Sequence, residues 1–288
     1  MKLGIVGMLP GDFRTFQPEQ MEAIRALGFT GFGFHLNGDD VFDITPAQCA
    51  AFRRFKAEEG LDLAQFAITY NECLFHPDKS VRERVTAKIN RGTEIAAQLD
   101  AQAFLLRPGS LNPDGPWTPH RDNHRPEHVE TLVETLRPMA SKAEAEGVIL
   151  AMETHALSIM DPPVKCRGII EAVGSPNLRL ILDAVNHFQS LQQVYNSSAW
   201  VNHIFDTLGP LSPVAHIKDL KVSNGLVMHI DQVVPGLGEL DLALVLQRFD
   251  ALYPNGYGLI EHLTLEQIPQ AVANVRRIAA ESGVVIHG

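Results

Sequence analysis

Eight times along this chain a short apolar or β-branched run is followed by a loop and then by an amphipathic segment of helical period. The strand readings are Leu3–Val6, Phe32–Leu36, Leu63–Ile68, Ala103–Leu106, Val148–Met152, Leu180–Leu182, Val214–Ile217 and Gly258–Ile260. The intervening helices carry their own signals. Pro18–Leu27 has proline in its first turn and Gly28 directly behind it. Thr45-Pro-Ala-Gln48, Ser80-Val-Arg-Glu83 and Thr264-Leu-Glu-Gln267 read as N-terminal capping boxes. Val129, Leu132, Val133, Leu136 and Met139 form a helical stripe that closes at Gly147. Val148–Met152 is apolar throughout, as a strand buried on both faces should be, and such strands belong to parallel sheets. Eight strand–helix units in 288 residues predict one (β/α)₈ TIM barrel of the α/β class, a single domain over residues 1–288. A doubly wound open sheet is the alternative. It would be favoured by a glycine-rich turn after the first strand, but Gly7-Met-Leu-Pro-Gly11 is not a GxGxxG turn.

Composition narrows the class further. No apolar run reaches the length of a membrane span, and the opening MKLGIVGMLPGDF lacks the apolar stretch and cleavage site of a signal peptide. Cys49, Cys73 and Cys166 are scattered singly, which argues against a disulfide framework or a thiolate metal site and fits a reducing cytoplasm. A formal net charge of −10 disfavours nucleic acid as a partner. The expectation is a cytoplasmic protein acting on a small molecule, with homo-oligomerisation left open.

In such a barrel the chemistry gathers where strands end and the following loops begin. The last four strands end in LAMETH, LILDAVN, VAHIKD and GLIEHL, so each apolar run meets an ionisable residue: Glu153, Asp183, His216 and Glu261. One polar residue at a strand end needs no functional explanation. Four in succession do, because three carboxylates converging on one mouth would repel one another without a cation. Three oxygen ligands and one imidazole suit Mn²⁺, Mg²⁺ or Co²⁺, with Mn²⁺ the expected ion. Strand alternation places Ile149, Ala151 and Glu153 on one face, and likewise Val214 with His216 and Leu259 with Glu261.

These residues carry a resemblance. Glu153-Thr-His155, Asp183-Ala-Val-Asn186, His216-Ile-Lys-Asp219, Gly236-Leu-Gly-Glu-Leu-Asp241 and Glu261 resemble the xylose isomerase-like TIM-barrel family, near its sugar epimerase and hydroxypyruvate isomerase branches. The resemblance implies one divalent metal held by Glu153, Asp183, His216 and Glu261, with the two glutamates as the acid–base pair on either face of the substrate. Two positions depart from the ketose 3-epimerase pattern: Asn186 and Val222 stand where those enzymes carry histidine and arginine.

Further substrate contacts are expected from His155, Lys218, His35, Arg107 and Trp117, and from Asn186 and His187 after the sixth strand. Arg121, His124, Tyr70 and Asn71 are weaker candidates. Asp219 is read as orienting its neighbours, and His262 as pointing away from Glu261 toward the helices. The leading functional expectation is a metal-dependent isomerase or epimerase that moves a proton through an enediolate on a small carbohydrate. Three carboxylates and a dication leave about −1, which favours a non-phosphorylated sugar unless Arg107 or Arg121 reaches the pocket. A lyase that eliminates water or a glycosidic group from a keto sugar is the alternative. An abasic-site endonuclease and a non-catalytic scaffold rank below it.

Overall fold

The computed structural model describes residues 1–288. In chain order the elements are β1 (Lys2–Val6), α1 (Pro18–Ala26), β2 (Gly31–Asn37), α2 (Pro46–Glu58), β3 (Asp62–Thr69), α3 (Lys79–Leu99), β4 (Phe104–Leu106) and α4 (Pro126–Glu146). There follow β5 (Leu150–Glu153), α5 (Pro163–Val173), β6 (Leu178–Asp183), α6 (Leu191–Tyr195), α7 (Ser197–Leu208), β7 (Val214–Ile217), β8 (Asp219–Val222), β9 (Ile230–Val233), α8 (Leu242–Leu252), β10 (Tyr257–Ile260) and α9 (Ile268–Glu281). Eight parallel strands close in the order β1-β10-β7-β6-β5-β4-β3-β2, the expected barrel. No helix is long and apolar enough to cross a membrane.

The sheet separates two apolar layers. A large cluster, including Phe32, Phe34, Phe66, Phe104, Met139 and Phe249, fills the space between strands and helices. A smaller one lies inside the barrel: Val6, Ala64, Ala67, Ala103, Leu105, Ala151, Ile181, Val214, Tyr257 and Leu259. Strand alternation then fixes what comes next at the mouth. Two residues beyond Ala151, Ile181, Val214 and Leu259 stand Glu153, Asp183, His216 and Glu261, and two beyond Leu105 stands Arg107. Asp183 and His216 are direct partners in the β6–β7 register.

Helix starts match their signals unevenly. At α2 both bonds of the Thr45–Gln48 box form. At α3 the cap is Asp78, whose carboxylate accepts from the Ser80 N–H at 2.8 Å, so the helix begins before the expected box. Ahead of α9 the Gln267 side chain accepts from the Thr264 N–H, one bond of the expected box, but the helix itself starts only at Ile268.

The short helix α6 and a hairpin have no counterpart among the eight expected units. Beyond β7 the chain leaves the barrel as an antiparallel hairpin, β8 with β9. Asp219 ties its base to the following loop. Its buried carboxylate accepts from the backbone N–H groups of Leu220, Gly236, Gly238 and Leu240, at 2.8 to 3.2 Å. The orienting role expected of Asp219 thus takes the form of a loop clamp.

The clamp leaves no room at Gly238, where a Cβ would overlap the Asp219 carboxylate and the Leu220 carbonyl. Gly238→Ala is expected to destabilise the fold by about 2 kcal/mol, the scale of overpacking. Denaturant unfolding checks this, and an unchanged midpoint would mean the clamp is looser than these contacts imply.

Candidate metal centre and active site

Glu153, Asp183, His216 and Glu261 converge at the barrel mouth, all buried, each offering a ligand atom within 4.8 Å of the other three. His216 Nδ1 lies 3.0 Å from Glu261 Oε1 and 3.6 Å from both Glu153 Oε1 and Asp183 Oδ2. His216 Nδ1, both Asp183 oxygens and Glu261 Oε1 have no hydrogen-bond partner despite their burial. Lys218 Nζ comes within 2.6 Å of Asp183 Oδ2 and 2.7 Å of Glu261 Oε1, close ion pairs that lack hydrogen-bond alignment. Buried polar atoms without partners are costly, and four of them facing one point suit a cation. Three carboxylates with one imidazole fit a hard or borderline divalent ion, so these residues can hold one.

Burial and opposite charges set the protonation of the group. Burial alone would push the Asp183 carboxyl up, but Lys218 and His216 outweigh it and hold it at about 2. Glu261 is likewise kept well below the usual carboxylate range, against its burial, by His216 and Lys218. Burial disfavours a proton on His216, yet Glu261, Asp183 and Glu153 raise its affinity well above the ordinary histidine value.

The outer nitrogen of His216 is also fixed. Nε2 donates to Gln65 Oε1 at 2.8 Å, which leaves Nδ1 to face the carboxylates. Gln65 was not among the expected site residues. Strand alternation around β3 does not call attention to it, because a β-bulge breaks the alternation: Phe32 pairs with Leu63 but Gly33 pairs with Gln65. Ala64 and Gln65 therefore both face inward. The one available signal was an amide in the apolar run of strand three.

Above the group lies a cavity of about 470 Å³ whose wall includes Glu153, Glu261, Asn186, Lys218, His155 and Trp117. His35 and Arg107 complete it from β2 and the end of β4, and Gln232 reaches it from the hairpin. Of the four cluster residues only the two glutamates line this cavity; Asp183 and His216 do not. The Trp117 and His155 rings stand 5.4 Å apart across its edge. Burial lowers the proton affinity of both His155 and His35, so both favour the neutral imidazole. Asn186 Nδ2 donates to the Thr154 carbonyl at 3.1 Å and to Glu153 Oε1 at 3.3 Å, steering that carboxylate.

Two expectations need correction. His187 is fully buried and absent from the cavity wall. A 3-10 turn over Val185–His187 carries its ring behind β5, where Nε2 meets Thr154 Oγ1 at 2.8 Å and Nδ1 meets Asp161 Oδ1 at 2.9 Å. His262, expected to face the helices, instead lines the cavity, because its left-handed backbone (φ 59°) breaks strand alternation just past β10. Arg121 and His124 stay off the wall, with His124 Nδ1 3.4 Å from Lys165 Nζ. Asn71 lines a separate surface hollow, and Tyr70 is buried beneath Arg107.

A family model described as xylose isomerase-like TIM barrel matches residues 21–284. The chain belongs to that family. No curated protein sequence matches it. Among solved structures it is similar to D-psicose 3-epimerase with D-tagatose from Clostridium cellulolyticum H10, at 14% identity and TM-score 0.73, covering 99% of this chain and 100% of that one. It is also similar to a xylose isomerase-like TIM barrel protein from Mycobacterium smegmatis in complex with magnesium (16%, TM-score 0.71, 98% and 96% covered). A third is the probable 3-DHS dehydratase involved in petrobactin synthesis from Bacillus anthracis (13%, TM-score 0.71, 97% and 99% covered). At these identities the likeness is one of fold. The fold thus has an epimerase and a dehydratase among its neighbours, and in this chain it carries a buried four-residue group that could hold a metal.

The acids around His216 raise its proton affinity, so metal uptake competes with a proton on this ring. Calorimetric titration with Mn²⁺ in buffers of different ionisation enthalpy should show proton release, with affinity rising as pH rises through neutrality. Buffer-independent heats together with native Mn²⁺ affinity in His216→Ala would remove His216 from the ligand set. Gln65→Met should weaken Mn²⁺ binding by about 10- to 100-fold, the scale for partners that orient a ligand. Unchanged affinity would leave Gln65 a packing residue.

Proposed function

We propose that the protein is a divalent-metal-dependent isomerase or epimerase of a small, non-phosphorylated carbohydrate, with Mn²⁺ as its ion. Glu153, Asp183, His216 and Glu261 hold the ion, and Glu153 and Glu261 also move the proton. The observation that carries this reading is the division within the group: both glutamates face the cavity, whereas Asp183 and His216 lie behind them. A residue that only binds metal need not reach the substrate. A residue that exchanges a proton with it must.

A dication at this position supplies polarisation of a substrate carbonyl and acidifies the neighbouring C–H bond. One glutamate takes the proton from that carbon, and the other returns a proton from its own side of the cavity. Return to the same carbon on the opposite face gives an epimer. Return to the former carbonyl carbon, with the hydroxyl proton passing to the former carbonyl oxygen, gives an aldose–ketose isomer. Asn186 holds Glu153 in place through its bond to Oε1. Trp117 offers an apolar surface to a sugar ring. Lys218 favours its ammonium form strongly, because Asp183, Glu261 and Glu153 outweigh its burial, and it lines the same cavity. That placement supports a second reading, β-elimination from a keto sugar, in which the glutamate that took the C–H proton gives it to the departing hydroxyl and the Lys218 ammonium stabilises the charge developing there.

Replacing Glu153 or Glu261 with Gln preserves shape and one coordinating oxygen but removes the base. Each variant should keep substantial metal by elemental analysis and lose at least about a hundredfold in turnover. Asp183→Asn and His216→Ala should show their main defect in metal content. Exchange of substrate C–H with solvent deuterium reads proton transfer directly, and accompanying loss of water identifies the elimination. If both Gln variants hold metal and exchange at the native rate, the glutamates are ligands only.

A further inference from the structure

The inward positions at the barrel mouth divide by charge. β5, β6, β7 and β10 bring the three acids and His216 to one half. The facing half is built from His35 on β2 and Arg107 at the end of β4, and no carboxylate other than Glu153 and Glu261 lines the cavity.

Arg107 is held in place without being neutralised. The Tyr70 hydroxyl donates to the Arg107 carbonyl and accepts from its backbone N–H, both at 2.7 Å. The guanidinium carbon sits 4.9 Å from the Tyr70 ring centre, stacked over a buried aromatic. Nη2 is spent on the Tyr70 carbonyl at 3.1 Å and, more weakly, on that of Ile68 at 3.4 Å. Nε and Nη1 have no protein partner, and no acid pairs with the group. His35 Nε2, also on this half, is buried without a partner.

The balance of charge follows from the metal-centre reading, on which this inference rests. Three carboxylates are offset by a dication and the Lys218 ammonium, so Arg107 leaves one positive charge at the cavity wall. A neutral sugar would offer the free Nε–H and Nη1–H groups hydroxyl acceptors but no counter-charge as it displaced water. A phosphate dianion would overshoot the balance. A carboxylate supplies a single charge and a strong acceptor for one of these free N–H groups. We propose that Arg107 is a carboxylate-binding residue of this site, and that the substrate is a sugar acid with hydroxyl and keto groups toward the metal and its carboxylate toward β4.

The test uses a matched pair on the Mn²⁺-loaded protein. Gluconate and sorbitol share a carbon chain and differ in whether one end is a carboxylate or a hydroxymethyl; sorbitol 6-phosphate supplies the phosphate arm. By calorimetry gluconate should bind at least about tenfold more tightly than either, as a charge-assisted hydrogen bond implies. Arg107→Gln should erase the preference over sorbitol while metal content stays native, and Arg107→Lys should retain part of it. If Arg107→Gln does not fold, the native ranking and the lysine variant decide. Undetectable gluconate binding, equal affinities, tightest binding of the phosphate, or a preference that survives Arg107→Gln each overturns the proposal, the last because the carboxylate would then be on the metal alone. Deuterium exchange separates this from the chemistry. Acid preference without exchange on any sugar or sugar acid counts against proton transfer and leaves Arg107 its role, whereas exchange confined to neutral ketoses overturns the sugar-acid assignment.

Discussion

Three carboxylates and an imidazole, buried together at one end of a closed sheet, are tolerable only if something cationic sits among them. Their oxygens lie too close for mutual repulsion to be ignored and too deep for water to screen it. Within the chain that charge is met by Lys218, which reaches Asp183 and Glu261, and by His216, whose proton affinity the acids raise. Neither meets it fully, since the Lys218 contacts are misaligned and four atoms of the group keep no hydrogen bond. A divalent ion among these residues would bring two charges to the centre of the group.

The barrel carries that concentration of charge because its strands are rigid and its helices do not intrude on the mouth. Ala151, Ile181, Val214 and Leu259 form an apolar floor directly under the four ligands, so each ligand is held by the strand beneath it. Around the rim, single hydrogen bonds do the aiming: Gln65 on His216, Asn186 on Glu153, the Tyr70 hydroxyl on the backbone of Arg107. The Asp219 clamp fixes the hairpin that brings Gln232 to the cavity. Groups that must keep a geometry through a reaction are placed on strands, and groups that need only touch substrate come from loops.

What was legible in the sequence follows the same division. Wherever strict alternation holds, the inward residue can be counted off, and that is why Glu153, Asp183, His216 and Glu261 stand out from the sequence alone. The misreadings fall where alternation breaks. Gln65 follows a bulge, His187 ends a 3-10 turn and His262 has a left-handed backbone, so none can be placed by the parity of its strand. The hairpin escaped notice for a related reason. Asp219–Val222 runs on from β7 with hardly a break, and only pairing with Ile230–Val233, eight residues removed from it in the chain at the nearer ends, turns it into a separate sheet. Helix starts were less legible than helix faces, as at α3, because several nearby polar residues can serve as a cap and packing chooses among them.

The two halves of the mouth also explain why family membership narrows the reaction more than the substrate. Proton abstraction beside a carbonyl needs a base, a cation and an acid, all of which come from the four strands β5, β6, β7 and β10. Nothing in that set specifies what the far end of the substrate carries. That information sits on the opposite arc, at His35 and Arg107, and in loops such as the one bearing Trp117, where a substitution alters what is gripped without disturbing the metal ligands. Such separation allows epimerases and a dehydratase to share one barrel. In this chain the positions Asn186 and Val222 have departed from the ketose 3-epimerase pattern while the four ligands stay in place. Asn186 turns to Glu153, and Val222 belongs to the hairpin and is off the cavity wall. The arginine that faces the cavity comes from β4 instead, on the far side from the strand-seven region where the epimerase pattern places one. With an arginine free of acid partners on the arc opposite the cluster, the cavity is suited to hold an anionic substrate end away from the reacting centre, as the carboxylate proposal requires.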